Sequence, residues 1–206
     1  MRRTAALLFT LWLLALPTAA HAFGVATASR DYYFVRWQSP KISYLLHQDG
    51  SADISNGSDL DAVRDGFKAW QAIECSAVEF EEKGYTTNRN LTAVGDMNGK
   101  NELAWIEGNE WPHGEYVLGV TGPIYGLNGI IVEADIGFNG LDYRWSTSGT
   151  PSFGNVQDVL NVAIHEEGHM FGLQHALWDF DQSNPPTMAP AADPYLKTRT
   201  LEDDDK

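Results

Sequence analysis

The chain has 206 residues, 43% hydrophobic and 12% aromatic with seven Trp. That is enough apolar side chain for one well-packed domain and argues against disorder across its body. The formal net charge is −14, from 28 acidic and 14 basic side chains; such a surface repels the phosphates of nucleic acid and anionic lipid headgroups, so neither is expected as a partner.

Residues 1–22 read as an export signal. Arg2 and Arg3 form a basic start, Ala5 to Leu16 is an apolar run broken only by Thr10, Pro17 ends it, and Ala20-His21-Ala22 offers a small-x-small cleavage site. The run falls short of the about 20 residues a bilayer span needs. The mature chain is therefore expected to begin near Phe23, in a secreted or periplasmic setting where excess acid serves solubility. Cys75 is the one cysteine, so no internal disulfide is expected, and a lone thiol reads as a small buried apolar residue.

Lys41 to His47 alternates apolar and polar residues and predicts a strand. Asn56 to Asp61 offers helix N-caps. Leu60, Val63, Phe67, Trp70 and Ile73 then recur at helical spacing, predicting a helix to about Glu74 with Phe67 and Trp70 as core residues. Strands are expected over Val78 to Glu82, Glu102 to Ile106, Tyr116 to Thr121 and Ile130 to Phe138, separated by Gly-, Asn- and Pro-rich loops. After a turn-rich connection from Leu141 to Gly154, a second helix is expected over Val156 to Phe171, with Val156, Val159, Leu160 and Ala163 inward. Little periodic structure follows Gly172. Asn56 and Asn90 begin Asn-x-Ser/Thr sequons.

The informative segment is His165-Glu-Glu-Gly-His-Met-Phe-Gly-Leu-Gln-His175. His165 and His169, four apart on a helix, project from nearly one face. Two imidazoles so placed can bind one tetrahedral Zn2+ at roughly 2.0–2.1 Å each. Glu166 is rotated around the helix and positioned as a general base rather than a ligand. Gly172 can take the left-handed conformation that ends the helix sharply, letting His175 return as a third ligand. Three protein ligands with an open position mark catalytic rather than structural zinc. Three of the five His that remain once His21 leaves fall within this stretch. Glu167 reads as solvent-facing.

The extended pattern HExxHxxGxxH resembles that of the metzincin metalloproteases. Met188, in Pro186-Thr-Met-Ala-Pro190, resembles their Met-turn residue. Within that group the chain resembles the matrixins, especially small bacterial ones. Met188 is followed by Ala-Pro, Glu133 to Asn139 is similar to the matrixin strand containing Asp-Ile-x-Phe, and Phe67-Lys-Ala-Trp70 with Val78-Glu-Phe80 is similar to the first helix and its following strand. The likeness runs from about Lys41 to Lys206.

The resemblance implies an α+β fold: a twisted, mostly parallel five-stranded sheet with two long helices, above a small irregular C-terminal lobe, with a zinc cleft between. It implies a metalloprotease catalytic domain over residues 23–206. This would be a monomeric zinc endopeptidase acting on polypeptide laid along an edge strand near Val117 to Thr121. Residues from Met188 to Tyr195 would wall the pocket beyond the scissile bond. The alternative reading is an inactive zinc-binding homologue serving as a binding protein, against which an intact Glu166 stands. Asp135 has two readings of equal weight, a Ca2+ ligand or a carboxylate bonded to backbone.

The chain also departs from the matrixin pattern. Ala176 stands where matrixins have Ser or Thr, and Gly137 where a His for a second zinc would sit, leaving His113 alone. Cys75 lacks the context of a latency cysteine. Thr200 to Asp205 resembles the start of the last matrixin helix, and reads either as that helix cut short or as a solvated acidic tail.

Overall fold

The computed structural model describes residues 24–28, 33–91, 97–109, 111–149, 154–176, 185–191 and 199–202. The export segment 1–22, Phe23, Tyr195 and the acidic residues 203–205 lie outside them.

In chain order the elements are β1 (Gly24–Val25), β2 (Thr27–Ala28), β3 (Tyr33–Phe34), β4 (Arg36–Trp37), β5 (Lys41–His47), α1 (Ser58–Gln71), β6 (Glu79–Thr86), β7 (Glu102–Ile106), β8 (Gly119–Tyr125), β9 (Ile130–Asn139), β10 (Arg144–Ser146), β11 (Val156–Asp158), α2 (Val159–Phe171) and β12 (Leu173–Gln174). The main sheet runs β8-β9-β7-β5-β6, with β4 adding two residues at the start of β9. Every pairing in it is parallel except β8 with β9. The expected five-stranded, mostly parallel sheet is present, with β4 as a short sixth member.

The sheet is buried on one face by both helices. Ile42, Tyr44 and Leu46 of β5, Leu103 and Trp105 of β7, and Ile136 and Phe138 of β9 share this side with Val63, Phe67 and Trp70 of α1. Their spacing of two along each strand is what a pleated strand imposes. Tyr44 stacks on Phe67 with ring centroids 4.1 Å apart. Trp70 Nε1 donates to the Ile164 carbonyl at 3.0 Å, pinning α1 to α2. A smaller cluster of Leu91, Ala104, Ile106 and Trp111 covers the opposite face. Gly137 lies on that side, where an added Cβ would meet Ile106 and Trp111.

Three boundaries differ from expectation. α1 begins at Ser58 after Gly57, which holds a left-handed conformation and gives no side-chain cap. α2 begins at Val159, because the Asp158 side chain accepts from Asn161 N at 3.0 Å and stops the helix there. Val156, expected on the helix's inner stripe, instead belongs to β11, paired parallel with β10. The edge strand β8 spans Gly119–Tyr125 rather than Tyr116–Thr121; Pro123 argues against a strand in sequence, yet an edge tolerates it. Leu118 O accepts from Asn139 N at 2.8 Å. By alternation, the even residues of β8 therefore direct their backbone groups at β9, while Gly119, Thr121 and Pro123 direct theirs outward. Cys75 is exposed in the loop after α1, not buried as expected.

Candidate active site

α2 carries the first two His and both Glu, and its ends are sharply defined. At the C-terminus Gly172 adopts φ 105°, and its N–H closes the last turn on His169 O. The chain reverses there into β12, which pairs with β1, and His175 is brought back over the helix. A Cβ on Gly172 would sit 2.7 Å from the Val35 backbone oxygen, so glycine is required on two counts.

The imidazole Nε2 of His169 lies 3.1 Å from that of His165 and 3.2 Å from that of His175. Nδ1 of His165 is 2.8 Å from the Thr187 carbonyl and Nδ1 of His169 is 2.8 Å from the Leu173 carbonyl. A carbonyl oxygen only accepts, so each Nδ1 carries the proton and each Nε2 presents a lone pair. Lone pairs that converge at such distances repel unless a cation lies among them. The edge of a tetrahedron with arms of about 2.0–2.1 Å is about 3.3–3.4 Å, close to the observed spacings. The donor set and its geometry fit zinc, and among the described residues these three His form a group able to hold a metal ion.

Electrostatics agree. Burial draws His165 down to about 4, against the opposing bond to Thr187. Burial and the adjacent His165 ring bring His169 to about 4 as well. Burial lowers His175 more mildly. All three are held in the neutral form a metal requires.

Glu166 is nearly enclosed, at 5% exposure. Burial pushes its carboxyl up, with His169 and the Thr121 hydroxyl pulling the other way. Thr121 Oγ1 lies 2.7 Å from Glu166 Oε2. All three His and Glu166 open into a cleft of about 710 Å3 that is also lined by Gly119, Thr121 and Pro123 of the edge strand. Ala189, Pro190 and Ala191 line it from the other side.

Met188 is fully buried beneath the helix. A Cβ on Gly168 would lie 2.4 Å from its sulfur, so Gly168 and Met188 are in close packing. The Met188 carbonyl accepts from Ala176 N at 2.8 Å, directly after His175. The turn containing Met188 thus braces two of the three His, through Thr187 O and through Met188 O.

Two expectations are corrected or resolved. Glu167, read as solvent-facing, is fully buried, with both carboxylate oxygens lacking a hydrogen-bond partner. It faces α1, where Gly66 makes room for it: a Cβ there would lie 2.4 Å from Oε2. Burial drives its carboxyl well above the usual range. Asp135 Oδ1 accepts from Glu102 N at 2.8 Å, in keeping with the backbone-bonded reading.

Sequence reasoning placed Thr121 on the substrate edge strand but missed its contact with Glu166, which no local pattern signals. It also missed Asp158 and Arg199. Asp158, as an N-cap followed three residues later by Asn161, was readable. Arg199 Nε donates to Asp158 Oδ1 at 3.0 Å, and a second ion-pair contact links the two side chains.

A mostly parallel sheet backed by a helix bearing HExxHxxGxxH, with Met188 buried below, fits the zinc metalloprotease class. The matrixin family model matches residues 36–206, and the chain belongs to the matrixin family. A comparison with curated proteins finds no match.

Proposed function

We propose that the chain is an exported zinc endopeptidase, acting as a monomer on extended polypeptide. His165, His169 and His175 are the metal ligands, Glu166 is the general base and Met188 is the Met-turn residue. The observation that carries this reading is the convergence of three Nε2 atoms, two of them, on His165 and His169, oriented by Nδ1 contacts to backbone carbonyls. Zinc, when bound, polarises the scissile carbonyl and lowers the pKa of water to about 7.

The chain's own groups do the rest. Gly119 and Thr121 present outward backbone donors and acceptors, so a substrate strand adds to β8 by main-chain hydrogen bonds. Pro123 lacks an N–H, so that ladder loses a donor at its position. The cleft excludes bulk water around Glu166. Its carboxylate takes the proton from the attacking water and hands it to the leaving amine. Burial raises the Glu166 carboxyl, which makes it a stronger base for the first half of that transfer.

The test uses the mature chain from Phe23 with zinc analysis and peptide-library profiling. The expected result is cleavage within peptides, loss on chelation and recovery with Zn2+. Glu166→Ala should retain zinc and lower kcat by about 10²–10⁴-fold. A zinc-loaded chain that cleaves nothing overturns the reading and favours a binding role; chelator-resistant cleavage overturns it too.

A further inference from the structure

We infer that Thr121 is a positioning residue for Glu166, and that it couples occupancy of the edge strand to the orientation of the base. This rests on the endopeptidase reading above. β8 meets α2 through the odd residues of the strand. A Cβ on Gly119 would stand 2.8 Å from Glu166 Oε1, so the carboxylate lies directly against the bare glycine backbone. Two residues on, Thr121 Oγ1 is 2.7 Å from Oε2 and 2.9 Å from the Glu166 backbone carbonyl. Oε2 is thus held from the strand, while Oε1 lies over Gly119, where no side chain intervenes.

A hydroxyl suits this place better than any fixed donor. When Glu166 is a carboxylate, Oγ1–H donates to Oε2. When it carries the proton, Oγ1 can accept from the acid and turn its own hydrogen to the Glu166 carbonyl, which lies equally within reach. The same oxygen therefore restrains the side chain on both sides of a proton transfer. Thr121 and Gly119 are also the residues whose backbone groups face outward for a substrate strand. A peptide bonded to them fixes the strand from which the base is held, so the contact joins substrate alignment to base alignment.

Thr121→Val keeps the shape of the side chain and removes the hydroxyl; Thr121→Ser keeps the hydroxyl. With zinc content and melting temperature monitored, Thr121→Val should lower kcat by about 10- to 100-fold while KM stays within about twofold. Thr121→Ser should recover most of the loss. Crystal structures of the variants should show the Glu166 carboxylate displaced in Thr121→Val and in place in Thr121→Ser. An unchanged kcat in Thr121→Val, or an equal loss in both variants, overturns the proposal. If the wild-type chain cleaves no peptide, the endopeptidase reading fails, and the carboxylate positions still decide the role of Thr121: an undisplaced carboxylate in Thr121→Val overturns it.

Discussion

Glu166 and Glu167 are adjacent on one helix turn and have opposite circumstances. Glu166 faces the cleft and meets the Thr121 hydroxyl. Glu167 faces α1, and among the described residues nothing donates to it. A carboxyl raised by burial binds its proton more tightly in the native state than in the unfolded chain. Its stabilising contribution is present below the unfolded pKa and is lost as pH rises above it. At neutral pH Glu167 therefore costs stability. Replacing it with Leu, in the space left by Gly66, should stabilise the fold by roughly 1–3 kcal/mol, the usual cost of a buried unsatisfied polar group. Urea midpoints at neutral pH check this; a lower midpoint for Glu167→Leu would contradict it.

The His residues act in the reverse sense. His165 and His169 are depressed to about 4 from an ordinary value of 6.5. The unfolded chain takes up their protons first as pH falls, so stability present above about 6.5 is lost down to about 4. Chelator-treated protein should show a falling urea midpoint across that window. His169→Gln should flatten the slope. A slope unaltered by the substitution would show that other groups dominate acid unfolding.

At the scale of elements, α2 works because both of its ends are specified. Asp158 caps the N-terminus, and Gly172 reverses the chain at the C-terminus with φ 105°. Gly172→Ala should destabilise the domain by roughly 1–3 kcal/mol from the backbone conformation alone. The contact with Val35 O should add to that, since a backbone oxygen cannot swing aside. Zinc affinity should fall with it, because β12 and His175 follow directly. Thermal melting and competitive zinc titration give the two readouts, and a variant matching wild type in both would refute the assignment. The edge strand shows the other kind of element. Its register comes from pairing with β9, and a single-residue slip would turn Thr121 away from Glu166.

At the scale of the molecule, the C-terminal residues are tied to the site helix rather than appended to it. Arg199 reaches both Asp158 and the Thr147 carbonyl. Leu201 is buried in the main core, and Thr187 Oγ1 donates to Thr200 O at 3.2 Å. β1 pairs with the segment running to His175. Residues near both ends of the described chain thus brace the metal-binding loop, and no local pattern in Gly24–Val25 or Arg199 announces it.

The residues at the site were legible in sequence because helical geometry is local. Spacings of four and six residues bring His165, His169 and His175 together once Gly172 is allowed its left-handed turn, and β5 follows from short-range alternation. What only the tertiary structure decided depends on segments far apart in the chain. The burial of Glu167 follows from where α1 places Gly66. The tautomer of His165 follows from the carbonyl of Thr187. The hold on Glu166 follows from the register of β8, some forty-five residues before it. A sequence states which side chains a helix carries and on which side they emerge. Which groups meet them there is set by packing between elements, and that packing separates the cleft-facing carboxyl of Glu166 from the enclosed carboxyl of Glu167 one residue away.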